Sequence, residues 1–115
     1  MKQITAYIRA ELASRAVEAL EAAQEAHFIT LVDARGIGSD RPEDSYSSSV
    51  SLGEGYAPLV RLKIVCPDPN VHALIDIVRT AASTGRKGDG MIFVSTVEDT
   101  VRSADEPRAS DVILF

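Results

Sequence analysis

Apolar and polar residues alternate at the start of the chain, and the apolar residues then recur at a helical spacing. Ile4, Ala6 and Ile8 share one face of a predicted first strand. The Ala- and Glu-rich stretch that follows has the three- and four-residue spacing of an amphipathic helix. The apolar stripe of this helix consists of Leu12, Ala16, Val17, Leu20 and Ala23. Residues 28–34 are mostly apolar and predict a second strand.

The second half of the chain repeats this order. Residues 59–66 alternate, with Arg61 and Lys63 on the polar face, and predict a third strand. A second helix is predicted to begin with Asp68 as its N-cap and Pro69 at its first position, and to stop at Gly85. Its apolar stripe consists of Val71, Leu74, Ile75, Val78 and Ala82. Residues 91–97 predict a fourth strand.

The order of these elements, βαββαβ, predicts a single domain of the α+β class with a ferredoxin-like sandwich. Two helices are expected to cover one face of a four-stranded antiparallel sheet. The other face is left open, and oligomerisation is the usual way to cover such a face.

The connection between the second and third strands is unusually long. Hairpin loops commonly have two to five residues, whereas this segment covers about residues 36–58. It contains four closely spaced serines, Pro42, Gly53 and Gly55, a composition that cannot bury a core and indicates a mobile loop. Two interpretations stay open, a solvated insertion and a loop that binds a partner or is ordered by a ligand.

Composition narrows the range of functions. The chain has 115 residues and a net charge of −5, which argues against non-specific binding of nucleic acid. Its single cysteine, Cys66, cannot form an internal disulfide and is expected to be buried in the third strand. No apolar run approaches the ~20 residues of a membrane span, and the start lacks the apolar stretch of a signal peptide. We therefore expect a soluble cytoplasmic protein.

A glycine-rich segment with two adjacent cations, Arg86 and Lys87, lies between the second helix and the last strand, in residues 84–94. Closely spaced glycines let backbone N–H groups converge on an anion. The spacing of Gly85 and Gly90 fits a Walker A motif, but Met91 and Ile92 stand where Lys and Ser or Thr are required. The segment is therefore either a different phosphate loop or a plain turn.

No arrangement of residues predicts catalysis or a metal site. His27 and His72 are far apart, and no Cys or His has the spacing of a metal ligand set. No base is placed beside a nucleophile, and no pair of carboxylates is marked for acid–base work. We therefore expect a protein that is not an enzyme and has neither a catalytic cofactor nor a metal.

The chain resembles the PII signal-transduction proteins over nearly its whole length. The most specific match is the run Thr-Gly-x-x-Gly-Asp-Gly-x-Ile-Phe-Val in residues 84–94. The other matching segments are residues 1–9, 33–38, 56–58, 60–66, 82–83 and 97–102. The resemblance implies a homotrimer in which the open sheet faces pack around a threefold axis. It also implies that adenine nucleotides bind in clefts between subunits.

By this resemblance, residues 36–58 form the T-loop that docks on a target protein, such as a transporter or an enzyme. Residues 84–90 form the B-loop that holds phosphates, and residues 102–115 reach in from the neighbouring subunit. The implied nucleotide-binding positions lie near the adenine base, at the base of the T-loop, in the B-loop and in the C-terminal segment. They are Thr30, Gly36, Ile37, Gly38, Ser39, Val65, Thr84, Gly85, Arg86, Lys87, Gly88, Asp89, Gly90 and Arg102.

Departures from the family pattern change the expected ligand. Met91 and Ala104 stand where the family usually places phosphate-binding cations, which disfavours ATP relative to ADP or AMP. Lys87, at a usually apolar place, could compensate in part. Asp40 and Leu59 replace a glutamine and a lysine that grip 2-oxoglutarate, so sensing of this dicarboxylate is not expected.

Covalent control by uridylylation is also not expected, because Leu52 replaces the modified T-loop tyrosine. By subtraction, the resemblance points to the carboxysome-associated PII-like proteins, which are tied to bicarbonate and adenylate state. Arg86, Lys87 or Arg102 could offer a site for bicarbonate.

The alternatives are a conventional nitrogen regulatory PII protein that binds ATP and a trimeric metal-binding protein of the CutA type. The apolar residues 112–115 predict a short strand, a subunit contact or a docking peptide.

Overall fold

A computed structural model of the chain describes residues 1–23, 28–37, 47–48, 55–86 and 89–101. The strands are β1 (Lys2–Arg9), β2 (Ile29–Gly36), β3 (Ser47–Ser48), β4 (Gly55–Cys66) and β5 (Gly90–Thr96). The α-helices are α1 (Ala13–Ala23) and α2 (Val71–Ala82). Each α-helix follows a 3-10 turn, Ala10–Leu12 before α1 and Asp68–Asn70 before α2.

The four long strands form one antiparallel sheet in the order β2-β4-β1-β5. The central strand β1 pairs with β4 from Lys2↔Cys66 to Arg9↔Leu59 and with β5 from Lys2↔Thr96 to Ile8↔Gly90. This arrangement confirms the predicted ferredoxin-like α+β fold.

The core lies between one face of the sheet and the two helices. Alternate residues of β1 and β4 are buried on this face, as the sequence pattern predicts. They are Ile4, Ala6, Ile8, Val60, Leu62, Ile64 and Cys66. Ala16 and Leu20 of α1 and Leu74 and Val78 of α2 pack against them. Complete burial of one such Leu, Ile or Val side chain contributes roughly 1.5–3 kcal/mol.

The opposite face of the sheet is open in the single chain. Val32 of β2 and Met91 and Phe93 of β5 expose 46%, 54% and 51% of their surface. The rings of Phe93 and Tyr7 meet edge to face, with 6.3 Å between centroids and 84° between planes. An exposed apolar patch of this kind is typical of an interaction surface.

Two strand boundaries differ from the prediction. β4 begins at Gly55 and not at Leu59, and β2 continues to Gly36. The ends of the segment 36–58 therefore belong to strands, and β3 pairs with β4 through Ser47↔Tyr56 and Ser48↔Gly55. The predicted mobility of the T-loop concerns mainly residues outside the described part of the chain.

The predicted N-cap of the second helix is wrong. Asp68 lies inside the 3-10 turn that precedes α2, and this turn has Pro67 at its N-cap without a side-chain capping bond. The Asp68 carboxylate instead lies 2.8 Å from the ammonium group of Met1, which lowers the pKa of Asp68. The Asp68 carboxylate, which was expected to accept a hydrogen bond from a backbone N–H of the helix, is thus paired with the ammonium group of Met1.

The predicted stop of the second helix at Gly85 is also displaced. α2 ends at Ala82, and Ser83 is already extended. Gly85 follows with a φ of +74°, so that it shapes the next loop and does not cap the helix. No α-helix in the described residues is both long and apolar enough to span a membrane.

We expect Gly90→Ala to destabilise the fold more than Gly85→Ala. Both glycines have a positive φ, +125° at Gly90 and +74° at Gly85, so both substitutions introduce backbone strain of roughly 1–3 kcal/mol. A Cβ at Gly90 would also lie 1.9 Å from the carbonyl oxygen of Tyr7, whereas a Cβ at Gly85 would meet nothing within 4 Å. Urea unfolding of both variants at one protein concentration measures the difference. Equal losses would contradict the close approach of β5 to Tyr7.

Candidate functional site

The loop between α2 and β5 is closed at its base by one carboxylate. Asp89 Oδ2 accepts hydrogen bonds from the backbone N–H groups of Thr84 at 2.9 Å and Gly85 at 3.1 Å. The hydroxyl of Thr84 donates to Asp89 Oδ1, and the hydroxyl of Ser83 lies 3.5 Å from Oδ2. The Thr84 hydroxyl oxygen also accepts a hydrogen bond of 3.1 Å from the backbone N–H of Arg86. The two sides of the loop are therefore held together by Asp89.

This geometry refines the predicted phosphate loop. Backbone N–H groups do converge on an anion, but the anion is the carboxylate of Asp89 and belongs to the protein. Phosphate groups would therefore have to bind to other donors of the loop while this arrangement persists. The predicted roles of Thr84, Gly85 and Asp89 at the nucleotide stay predictions, and their observed role is to shape the loop.

Arg9 is a site residue that the sequence reasoning missed. It ends β1, is only 1% exposed, and its Nε donates to Asp89 Oδ1 at 3.2 Å. Its Nη1 also lies 3.9 Å from Glu11 Oε1. Eighty positions separate Arg9 from Asp89 in the sequence, so no local spacing announces the contact. The one available signal is a cation at the end of an otherwise well-patterned strand.

The environment of Asp89 keeps it ionised. Partial burial raises the pKa of this carboxyl, but the hydrogen bonds from Thr84, Arg9 and Gly85 lower it by more than burial raises it. The net effect is a pKa below the ordinary value of an aspartate. The loop therefore has its closing anion across the whole physiological pH range.

A cavity of about 990 Å³ opens beside this loop. Asp89, Gly90 and Met91 line it from the loop and the start of β5, and Tyr7 lines it from β1. α2 contributes both apolar and polar side chains to the wall, with Arg79 as its cation. The cavity is of a size that accommodates a small organic ligand.

The sheet order separates the predicted nucleotide residues into two groups. Gly36 ends β2 and Ile37 follows it, at the same end of the sheet as the loop but at the opposite edge. Three strand spacings, about 14 Å, separate these edges. Thr30, which pairs with Lys63, is also on the β2 edge, and Val65 pairs with Gln3 toward the other end of the sheet. One chain therefore does not bring Thr30 or Val65 to its own loop.

The remaining predicted positions cannot be placed. Gly38, Ser39, Lys87, Gly88 and Arg102 lie outside the residues that the structure describes. Residues 102–115, the predicted C-terminal segment, lie outside them as well. Among the residues described, no group of three or more His, Cys, Asp or Glu could hold a metal ion. Cys66 is buried as expected, and this burial raises the pKa of its thiol.

Leu59 occupies the base of the predicted T-loop. A Cβ added to Gly36 would lie 2.6 Å from Leu59 Cδ1, so the leucine side chain packs directly over this glycine. The place that would need a lysine to bind 2-oxoglutarate is therefore filled by an apolar side chain in contact with its neighbour.

We expect Asp89→Asn to destabilise the protein at neutral pH and to lose part of this effect in acid. Hydrogen bonds to a charged group contribute about 1.5–3 kcal/mol each, so the loss at pH 7 is of that order. Because the folded pKa of Asp89 is lowered, its contribution is complete above the unfolded pKa and disappears as the pH falls through the folded pKa. The difference between wild type and variant should therefore shrink below about pH 4.

Urea unfolding between pH 7 and pH 3 measures this difference. Glu18→Gln is the matched control, because it removes an exposed carboxyl of α1, an element that does not contribute to the loop. A gap between Asp89→Asn and wild type that is constant over this pH range would contradict an ionised Asp89 at the base of the loop.

Comparison with known proteins identifies the family. Residues 1–106 match the family model described as Nitrogen regulatory protein P-II. The chain is 36% identical over 115 residues to the Nitrogen regulatory protein P-II of Rhizobium meliloti, which covers 98% of this chain and 100% of the relative. It is 36% identical over 102 residues to Nitrogen regulatory protein P-II 2 of Methanothermobacter thermautotrophicus, covering 89% and 88% of the two chains. The corresponding protein of Azospirillum brasilense is 33% identical over 85 residues, 74% of this chain and 76% of the relative.

Proteins of the P-II family are regulatory signal transducers and not enzymes. They form trimers, bind adenine nucleotides and interact with target proteins. A metal-binding trimer of the CutA type was the alternative on this fold, but the match is to the P-II model. Because this match extends over nearly the whole chain, the protein belongs to the P-II family of nitrogen regulatory proteins.

Proposed function

We propose that this protein senses adenine nucleotides in clefts between the subunits of a homotrimer and signals to a target protein through its T-loop. The observation that carries the proposal is the loop that Asp89 closes, beside a cavity of about 990 Å³ lined by Tyr7 and Met91. Arg86 belongs to this loop, and a second cation, Lys87, follows it in the sequence. Asp89 holds Thr84 and Gly85 in place, and a cation on such a fixed backbone suits phosphate groups, since little ordering entropy is lost when they bind.

The separation of the predicted residues supports a site between subunits. Thr30 is remote from the loop of its own chain because β2 and β5 are opposite edges of the sheet, and Val65 is remote because it lies toward the other end of the sheet. A neighbouring chain in the trimer could bring its own Thr30 and Val65 to this loop. The open sheet face, with exposed Val32, Met91 and Phe93, supplies an apolar surface that such an assembly would cover.

The side chain of Met91 favours ADP and AMP over ATP. Met91 is one of the residues around the cavity at the start of β5, and it stands at the position of a phosphate-binding lysine in the resemblance. A thioether offers no charge-assisted hydrogen bond to a phosphate. The third phosphate of ATP adds charge that this site is poorly equipped to bind, a deficit that Ala104 increases.

The contact of Leu59 with Gly36 argues against sensing of 2-oxoglutarate. An apolar side chain cannot pair with a carboxylate of this ligand, and Asp40 adds a negative charge nearby in the sequence. A link to bicarbonate, as in carboxysome-associated PII-like proteins, rests on the presence of Arg86, Lys87 and Arg102 in the sequence. No contact among the described residues adds to it. The second candidate function is that of a conventional nitrogen regulatory protein that binds ATP, favoured by the names of the relatives.

Calorimetric titration with AMP, ADP and ATP tests the nucleotide preference. We expect wild type to bind ADP or AMP more tightly than ATP. Met91→Lys should raise the affinity for ATP by about tenfold or more, because one charge-assisted hydrogen bond contributes about 1.5–3 kcal/mol. Met91→Leu is the matched control and should leave the order of affinities unchanged. An absence of heat with every nucleotide would refute the proposed function, and tight binding of ATP by wild type would refute the preference.

Titration with 2-oxoglutarate and bicarbonate in the presence of Mg-ATP or ADP tests the second ligand. We expect wild type to show no binding of 2-oxoglutarate. The double variant Leu59→Lys with Asp40→Gln should gain it, because a cation replaces leucine and a negative charge is removed. Leu59→Met with Asp40→Gln controls for the loss of Asp40 alone. Strengthening of ATP binding by 2-oxoglutarate in wild type would favour the nitrogen regulatory alternative, whereas strengthening of ADP binding by bicarbonate would favour the carboxysome-associated one.

A further inference from the structure

Arg9 is the buried charged residue of the described part of the chain. Its side chain is 1% exposed, although arginine is almost never fully buried unless it is paired. Burial of a charge is unfavourable unless geometry and hydrogen bonding compensate, and an apolar residue of similar volume often stabilises a fold equally well. The fold alone therefore does not explain why a cation ends β1.

The partners of Arg9 connect it to the loop. Its Nε donates to Asp89 Oδ1 at 3.2 Å, and the other oxygen of the same carboxylate accepts the backbone N–H groups of Thr84 and Gly85. Arg9 thus fixes the carboxylate that in turn fixes the first two residues of the loop. The anchor is rigid, since β1 pairs with strands on both sides up to Arg9 or Ile8.

We propose that Arg9 is the positioning residue of the nucleotide loop, which acts through Asp89 to set where Arg86 meets phosphate. This inference rests on the proposed binding of adenine nucleotides. Arg9 itself does not have to touch the ligand. Its charge is already opposed by Asp89 and, at 3.9 Å, by Glu11.

The proposed role of Arg9 predicts how its loss changes the affinity for each ligand. If Arg9 orients the phosphate-binding loop, its loss lowers the affinity for a ligand in proportion to the number of phosphates that the ligand carries. If Arg9 only stabilises the fold, its loss lowers the affinities for adenosine, AMP and ADP by the same factor. The phosphate-free nucleoside adenosine therefore separates the two roles.

The experiment compares wild type, Arg9→Met, Arg9→Lys and the control Arg15→Met in calorimetric titrations with adenosine, AMP and ADP. Arg15 is an exposed residue of α1. We expect Arg9→Met to weaken the binding of ADP by about tenfold or more, as for loss of one hydrogen bond to a charged group. The binding of adenosine should weaken by less than about twofold. AMP should lie between them. Arg9→Lys should recover part of the ADP affinity, because it retains the charge without the guanidinium fork.

Amide hydrogen exchange provides a measurement that does not need the ligand. In Arg9→Lys, the backbone amides of Thr84 and Gly85 should exchange faster than in wild type, while the amides of the central pair Ala6 and Leu62 stay protected. This variant keeps the experiment decisive if Arg9→Met does not fold.

The outcomes separate the two proposals. Binding of no adenylate by wild type would refute the proposed function, and unchanged exchange at Thr84 and Gly85 would then also refute the positioning role. Binding by wild type with equal losses for adenosine and ADP in the Arg9 variants would overturn the positioning role alone. A loss that grows with phosphate number, together with faster exchange at the two amides, would support it.

Discussion

The pairing of β1 with strands on both of its sides is the constraint on which the rest of the structure depends. The register Ile8↔Gly90 brings the start of β5 so close to β1 that only a glycine fits against the Tyr7 carbonyl oxygen. One residue later, the same strand end places Arg9 beside Asp89, and the pair Arg9↔Leu59 ties that end to β4. The position of the loop after α2 is therefore set by β1, a strand that is far away in sequence. Helix α2 ends at Ala82 and delivers the chain to this place.

The sequence predicts the fold well because its apolar residues follow the two periods that define strands and helices. Leu62 and Ile64 alternate and are buried, and Leu74 and Val78 recur at a helical spacing and are buried as well. Local capping rules were less successful, because Asp68 has a stronger partner in the ammonium group of Met1 than in a backbone N–H. Such a contact joins residues that are far apart in the sequence and has no signature in a local pattern.

The candidate site shows the same limit. The glycine and cation pattern of residues 84–90 predicts convergence of N–H groups on an anion, and this convergence is present at Asp89. The pattern does not reveal that the anion is a side chain of the loop itself, since Asp89 is equally compatible with a solvent-facing turn. Arg9 could not be found at all by spacing, because its contact depends on the sheet order, and that order is a property of the whole chain.

The occupied N–H groups give the departures from the family pattern more weight. In a loop whose first two amides bind Asp89, fewer backbone donors are left for a phosphate group. Recognition then depends more on cationic side chains, so that replacement of a lysine by Met91 removes a larger share of the available attraction. The consecutive cations Arg86 and Lys87 are still present in the sequence and suit a ligand with one or two phosphates. The same carboxylate that shapes the loop thereby supports the proposed preference for the nucleotides with fewer phosphates.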